Sequence, residues 1–241
     1  MVLIGTILLS PGMVQIEMIR LLPGIILSVQ IGLEGIESMT TTTGSNMRIT
    51  DKYVFFWGEA PFTNFTRCTV RYLGIDFPSS EHAFMWIKAV YFKDHDIAQK
   101  IRKAPTPAAA KALGREVKNF DPEEWSKVSY AYMKAVVEVK FRTNPELLKE
   151  LLDPLFDGKT FVEASPYDRI WGIGFRESDS EAINEHTFNW GENRLGRILT
   201  ELREKLKREF NALQKYAGNK TQKEKEVNAN TTGLVGQSDS R

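Results

Sequence analysis

The sequence predicts an α+β domain that is mainly helical and contains a small β-sheet. Two segments rich in aromatic and β-branched residues, 53–57 (YVFFW) and 69–74 (TVRYLG), have strand composition. A run of capped helical segments follows, and a third short strand, 161–164 (FVEA), precedes the last helix. Strands followed by a run of helices are typical of the α+β class.

The predicted helices have clear start signals. Each begins at a residue whose side chain can accept a hydrogen bond from a first-turn amide, and proline follows three of them at the first helical position. The predicted caps are Ser79 or Ser80, Thr106, Asp121, Asn144 and Asn193. We expect the helix after Asp121 to run to about Arg142, and the helix after Asn193 to be amphipathic.

The two ends of the chain differ from its centre. Residues 1–46 form an apolar leader interrupted by proline and charge, and a flexible joint, TTTTGSN, follows at 40–46. We expect residues 47–214 to form one compact domain to which the leader does not belong. Residues 215–241 are polar without apolar periodicity, which predicts a disordered tail.

The bulk composition excludes several classes of protein. A net charge of +1 argues against nucleic-acid binding through a broad basic surface. One cysteine and three histidines without ligand spacing predict no disulfide, metal or metal cofactor. Phosphate-binding glycine motifs are missing, and no segment has the roughly 20 apolar residues that span a bilayer. We expect a cytoplasmic protein that needs no cofactor and no membrane.

One helical stripe combines charges with large apolar side chains. At about 100° per residue, Glu81, Phe84, Met85 and Lys88 share a face, and the Lys88 amine is expected to reach back toward Glu81. Glu81 could simply be a favourable first-turn acid, and Lys88 could lie along apolar surface with its amine in water. The periodicity alone leaves both interpretations open.

Three loops pair tryptophan with glycine, at Trp57-Gly58, Trp171-Gly172 and Trp190-Gly191. Indoles offer stacking surfaces and glycine permits close approach of a ligand, although the same pairs could simply cover the core beside tight turns. Asp168 could form an Asx turn or supply a second carboxylate opposite the helical stripe. Two carboxylates and an amine beside aromatic rings suit cleavage of a glycosidic bond.

Six blocks in order give a resemblance to a known family. The sequence resembles the NADAR superfamily (YbiA-like proteins) over about residues 53–206, through FFWGEAPFTNF, SSEHAFMWIKAVYF, AAAKALGREVKNFD, KFRTNPEL, VEASPYDRIWGIG and NRLGRIL. The resemblance implies a mainly helical α+β fold with a small sheet and N-glycosidase activity. The substrates it implies are ribosylamino-pyrimidine phosphates of riboflavin synthesis, or ADP-ribose attached to guanine in nucleic acid.

The resemblance also implies the site residues. Its catalytic positions here are Glu81, Lys88 and Asp168, with Trp171 in the same pocket. Further substrate-binding positions are Trp57, Gly58, Phe62, Asn64, Lys111, Arg115, Gly172 and Asn193. Lys111 and Arg115 are candidates for phosphate contacts, and they belong to a basic run over residues 100–118 that could equally be a solvated helix face. FNWGEN, which contains Trp190, departs from the family spacing.

Three functions are compatible with these residues. The leading hypothesis is a metal-free N-glycosidase acting on a small phosphoribosyl or ADP-ribosyl substrate, or on ADP-ribosylated nucleic acid. The alternative is a non-catalytic module that binds ADP-ribose or NAD in the same pocket. A protein-interaction module using the Trp-Gly loops is less compatible with charges on the inner face of a helix.

Overall fold

The computed structural model describes residues 5–6, 15–21, 24–30 and 47–234. The strands are β1 (Gly5–Thr6), β2 (Gln15–Leu21), β3 (Gly24–Gln30), β4 (Met47–Ile49), β5 (Tyr53–Phe56), β6 (Val70–Tyr72), β7 (Ile75–Phe77) and β8 (Thr160–Glu163). The helices are α1 (Ser80–Tyr91), α2 (His95–Arg102), α3 (Pro107–Arg115), α4 (Pro122–Thr143), α5 (Pro145–Leu151), α6 (Ser180–Ile183) and α7 (Arg194–Leu234). Two single 3-10 turns lie at Pro154–Phe156 and Thr187–Asn189. The mainly helical α+β fold is confirmed.

The chain divides into two units by its contacts, residues 43–204 and residues 1–42 with 205–241. In the second of these, β2 pairs antiparallel with both β1 and β3. The predicted joint at 40–46 lies outside the described residues. The sequence predicts a disordered tail after residue 214, whereas α7 continues to Leu234 in the structure. Lysine, glutamate and glutamine in this segment have a high helix propensity even where no apolar face is present. Residues 235–241 lie outside the described part, and the division at 46 and 214 stays a prediction.

The sheet of the larger unit has the order β4-β5-β8. β4 runs antiparallel to β5, and β5 runs parallel to β8, with Phe56 opposite Glu163. Phe55 and Val162 belong to a buried cluster on one face of this sheet, while Phe56 and Phe161 join an aromatic cluster on the other. β4 has no counterpart in the sequence prediction, because three residues carry too little pattern.

The second predicted strand, 69–74, contains β6 and the turn after it, and β6 pairs with β7 in a separate hairpin. Its turn residues Leu73 and Gly74 both have positive φ, as a two-residue hairpin turn requires. Val70 and Phe77 pack against Ala83 and Ile87 of α1 and against α4. This packing fixes the direction in which α1 leaves the hairpin.

The predicted helix starts at Ser79, Thr106 and Asp121 are confirmed, since each side chain accepts a first-turn N–H. The helix after Asp121 ends at Thr143, one residue beyond the predicted end. Asn144 precedes α5 without capping it, because its amide donates instead to the carbonyls of Thr69 and Lys140. A tertiary contact with Thr69 and a local contact with Lys140 therefore occupy the side-chain amide.

Candidate active site

The parallel pairing of β5 and β8 brings two loops to one edge of the sheet. Both strands end at this edge, so the loop after Phe56 and the loop after Glu163 lie next to each other. The Glu81 N–H donates to the Asn64 carbonyl at 3.0 Å, which ties the first turn of α1 to the first of these loops. Five parts of the chain meet around one cavity: these two loops and the helices α1, α3 and α4.

The cavity has a volume of about 390 Å³, within the range of small-molecule sites. Its wall combines aromatic rings, three carboxylic acids and three basic side chains. The lining residues are Trp57, Gly58, Thr63, Asn64, Phe65, Glu81, Phe84, Met85, Lys88, Lys111, Gly114, Arg115, Trp125, Met133, Glu163, Ser165, Asp168, Ile170 and Trp171. These include Glu81, Lys88, Asp168, Trp57, Gly58, Asn64, Lys111, Arg115 and Trp171 from the sequence prediction.

Phe62 does not line the cavity, contrary to the prediction. Its ring is buried and packs against Phe56, Phe141, Phe156 and Phe161, with centroid distances of 5.0–6.5 Å. The loop GEAPFTNF therefore turns Phe62 into the core and Asn64 toward the cavity. Backbone turns and core packing decide these directions, and the sequence motif does not encode them.

Gly172 and Asn193 also lie outside the cavity lining, and their contacts are structural. A Cβ on Gly172 would meet the Glu163 carbonyl oxygen at 2.6 Å, so glycine allows the loop to fold back on β8. Asn193 does not cap α7. Its side chain accepts from the Glu163 N–H at 3.0 Å and donates to the Phe161 carbonyl at 2.9 Å. Both residues act on the end of β8 rather than on a ligand.

Trp190 is likewise a core residue. Its ring packs edge-on against Tyr53 and Phe55, and its indole N–H donates to the Glu181 carbonyl at 3.1 Å. For this Trp-Gly pair the structural interpretation is correct. Trp57 and Trp171, in contrast, line the cavity.

Glu81 is the buried acid at the start of α1, with 4% of its surface exposed. Burial raises the pKa of its carboxyl to about 7, and the Asp168 charge raises it too, while Lys111 and Arg115 act in the opposite direction. The helix N-terminus adds a favourable field for the ionised form. Glu81 can therefore exchange a proton near neutral pH, which suits a general base.

Lys88 departs from its predicted geometry. Its amine donates to the Gly114 carbonyl at 2.8 Å and lies 3.7 Å from the centre of the Phe120 ring, and it forms no ion pair with Glu81. Gly114 is in the last turn of α3, where carbonyls lack helical partners and the helix dipole favours a cation. Burial lowers the pKa of the Lys88 amine.

Asp168 combines both of its expected roles. One carboxylate oxygen accepts from the backbone N–H groups of Ile170 and Trp171, at 2.9 and 2.8 Å, which forms the Asx-type turn. The carboxylate also lines the cavity and raises the pKa values of both Glu81 and Glu163. The turn thus holds a carboxylate in a fixed position beside two other acids.

Lys111 and Arg115 bring positive charge to the acids from one face of α3. They are four residues apart in the helix, so both side chains project from the same side. Lys111 also lies 5.6 Å from the centre of the Phe65 ring. This pair can bind an anionic group of a ligand while leaving the three carboxyl groups free for chemistry.

An aromatic wall lies along the cavity. Trp171 meets Phe84 edge to face at 5.3 Å, and Phe84 contacts Trp125 at the same centroid distance. Planar rings of this kind can hold a heterocyclic base by stacking. Phe84 belongs to the stripe of α1 that also carries Glu81 and Lys88, and it lies in the middle of this wall.

Glu163 is a cavity residue that the sequence analysis missed. It ends β8, is 8% exposed, and its Oε2 has no hydrogen-bond partner among the described residues. A charged residue inside an otherwise apolar strand, five residues before Asp168, was the available signal. The apolar neighbours of Glu163 predict the strand, but they do not indicate which part of the protein the Glu163 side chain contacts.

Two further features are absent from the part of the chain that the structure describes. Among the described residues, no three His, Cys, Asp or Glu side chains are grouped so as to hold a metal ion. No helix in the described part of the chain combines the length and apolar character needed to cross a bilayer.

Comparisons with known proteins give several matches. The chain is 35% identical over 168 residues to N-glycosidase R617 of Acanthamoeba polyphaga mimivirus, covering 64% of this chain and 96% of that protein. It is 31% identical over 145 residues to N-glycosidase YbiA of Escherichia coli K12, covering 60% and 80%. It is also 36% identical over 115 residues to the chloroplastic riboflavin biosynthesis protein PYRR of Arabidopsis thaliana, covering 46% of this chain and 17% of that one.

The fold and the family model agree with these matches. The NMR structure of E. coli YbiA is similar with a TM-score of 0.54 at 28% identity, over 68% of this chain and 90% of that one. The NADAR domain model matches residues 50–207, which contain every residue of the cavity wall. The chain belongs to the NADAR domain family.

Proposed function

We propose that this protein is an N-glycosidase that hydrolyses the bond between a phosphorylated ribose and a heterocyclic base. The observation that carries the proposal is the buried Glu81 carboxyl, held at a helix start in one cavity with Asp168, two cations and an aromatic wall. The names of the relatives R617 and YbiA support the same chemistry.

The carboxylates fit the charge that develops during cleavage. Breaking the bond from C1′ to nitrogen leaves an oxocarbenium-like ribose, which a nearby negative charge stabilises. Asp168 supplies a positioned carboxylate because its turn fixes one oxygen on two N–H groups. Glu81, with a pKa of about 7, activates the water that adds to C1′.

The remaining wall accounts for binding of the substrate. Lys111 and Arg115 bind the phosphate, because they present two positive charges from one helix face. Trp171 offers a face on which the base can stack, and the Phe84 ring stands edge to face against Trp171. A binding module would also use these contacts, but it would not need acids buried with raised pKa values.

Lys88 offers a second chemical route within the same function. An amine whose pKa is lowered by burial contains a larger neutral fraction, and a neutral amine can attack the opened sugar as an iminium or aldehyde to form a Schiff base. Glu81 does not oppose this, because no ion pair joins it to Lys88. The Gly114 carbonyl and the Phe120 ring instead favour the charged amine.

The physiological substrate we propose is a ribosylamino-pyrimidine phosphate of riboflavin synthesis. A cavity of about 390 Å³ suits one small metabolite, and the name of the relative PYRR supports this class. ADP-ribose on guanine in nucleic acid is the second candidate, and a near-neutral net charge favours it less.

The test is direct release of base. The full chain is incubated with the ribosylamino-pyrimidine phosphate and, separately, with an oligonucleotide carrying ADP-ribosylated guanine, and products are followed by mass spectrometry. We expect faster release from the first. Preferred release from the second would reverse the substrate assignment. Tight binding of ADP-ribose or NAD with no release from either probe would establish the non-catalytic module instead.

A further inference from the structure

Glu163 has a position that the fold itself does not explain. Its Oε2 is buried without a hydrogen-bond partner in the described structure, although a buried polar atom normally has one. An unpartnered buried acid destabilises the fold, whereas an apolar residue of similar size would not carry that cost. The cavity is the space that this side chain borders. The part of Glu163 that stays exposed borders this cavity, so a ligand there can contact the carboxyl group.

The backbone holds Glu163 rigidly at the cavity edge. Its N–H donates to Asn193 Oδ1, and its carbonyl accepts from the Ile173 N–H, each at 3.0 Å. Val162 and Ala164 are buried in the core cluster, and alternation along the strand turns Glu163 to the opposite side. A carboxyl fixed in this way can meet a substrate without reorganisation.

The charges around Glu163 favour its protonated form. The pKa of the carboxyl is raised to about 8, and burial is the largest cause. The charges of Asp168 and Glu81 also raise this pKa, while Lys111 lowers it. These groups face Glu163 from the loop after β8, from α1 and from α3. At neutral pH the cavity thus contains one acid that holds its proton beside a second acid, Glu81, that exchanges its own.

We propose that Glu163 is the acid that protonates the departing base nitrogen. The inference rests on the N-glycosidase function proposed above. As the C1′–N bond breaks, its electron pair goes to the nitrogen, which takes the proton from Glu163. Water then adds to C1′ and gives a proton to Glu81. Glu81 releases this proton to solvent and Glu163 takes one up from solvent, which restores both groups. The products are the ribose with a C1′ hydroxyl and the free base with N–H, so one water is consumed.

The other acids and the amine are less suited to this step. Asp168 already accepts two backbone N–H groups on one oxygen, which fixes this oxygen in its turn. Lys88 already donates to the Gly114 carbonyl. Glu81 has the lower pKa of the two buried glutamates, so it is more often ionised at neutral pH and available as the base. Two acids of different pKa in one site divide the roles of base and acid between them.

The kinetic test compares Glu163→Gln with the full-length wild type on both base-release probes. Glutamine keeps the shape but carries no transferable proton, so kcat should fall by about 100-fold or more with little change in KM. The wild-type rate should decline above about pH 8 as Glu163 loses its proton, and this alkaline limb should disappear in the variant. Glu163→Asp should recover part of the rate. Glu146→Gln, on an exposed first-turn acid of α5, is the matched control.

A second measurement follows the proton itself. Infrared spectra of the free protein should show a protonated carboxyl C=O band at neutral pH that loses intensity in Glu163→Gln and keeps it in Glu146→Gln; the remainder belongs to Glu81. If the wild type releases base while Glu163→Gln stays within about fivefold of it at every pH, the proton-donor role is overturned and the N-glycosidase function stands. If the wild type releases base from neither probe, the proposed function fails, and the donor role fails with it.

Discussion

The amine of Lys88 donates a hydrogen bond to the carbonyl of Gly114, 2.8 Å away, at the C-terminal turn of α3. This contact joins the helix that carries Glu81 to the helix that carries Lys111 and Arg115. The same glycine allows the helices to approach, because a Cβ there would lie 2.1 Å from Met85 Sδ. One glycine thus sets both the packing of α1 on α3 and the position of the amine.

Gly114→Ala should therefore lower both stability and activity. The added methyl forces Met85 or the helices to move, and overpacking of this kind costs about 1–3 kcal/mol of unfolding free energy. Thermal unfolding and base release measure the two effects. Ala112→Ser, on the exposed side of α3, serves as the control and should change neither. Wild-type values for Gly114→Ala in both assays would show that the contact is easily relaxed.

Glu81→Gln should lower kcat by about 100-fold or more, because glutamine keeps the shape but removes the charge and the base. Folding should be retained, since the backbone contact with Asn64 does not involve the side chain. Glu146→Gln is the matched control, as an exposed acid in the first turn of another helix. Less than about tenfold loss of kcat would mean that Glu81 is simply a helix-terminal acid.

Lys88 should form a covalent adduct if the Schiff-base route operates. Incubation with substrate and sodium borohydride, followed by peptide mass spectrometry, should find a ribose-derived mass on Lys88 and none in Lys88→Ala. Turnover without an adduct on any lysine argues against the covalent route. Lys88→Arg then separates the remaining roles, because arginine keeps its proton: an active variant makes Lys88 an electrostatic or binding residue.

Lys111→Ala should weaken binding of phosphorylated substrate and raise KM, whereas the dephosphorylated form should be affected less. Lys111 also lowers the pKa values of Glu81 and Glu163, so its removal raises both. The optimum of the rate against pH should consequently move to higher pH. Lys118→Ala, an exposed lysine outside the cavity wall, provides the comparison. An unchanged optimum would show that Lys111 does not act on the acids.

The free energy of unfolding should fall as pH rises from about 4.5 to about 8. In this window the folded chain keeps protons on Glu81 and Glu163, whose pKa values are raised to about 7 and about 8, while the unfolded chain has released them above the ordinary value of 4.5. The double variant Glu81→Gln/Glu163→Gln should lose less stability across the window. Urea unfolding at several pH values measures this, and parallel curves for the two proteins would refute it.

The sequence alone determined the features that depend on near neighbours. Ser79, Thr106 and Asp121 cap helices through hydrogen bonds that reach only three residues along the chain. The local sequence is therefore enough to predict these caps. The helical repeat likewise placed Glu81 and Lys88 on one face. Six motif blocks, taken together, identified the family and nine of the residues that line the cavity.

Tertiary structure decided everything that depends on contacts between distant segments. Glu163 reaches the cavity because β8 lies parallel to β5, more than a hundred residues earlier, and no local pattern specifies that pairing. Phe62, Gly172 and Asn193 belong to the same motifs as the cavity residues but do not line the cavity. Phe62 packs in the core, and Gly172 and Asn193 contact the end of β8. Lys88 bonds to Gly114 rather than Glu81 because the end of α3 offers an unsatisfied carbonyl, and only the packing of the two helices brings that carbonyl within reach.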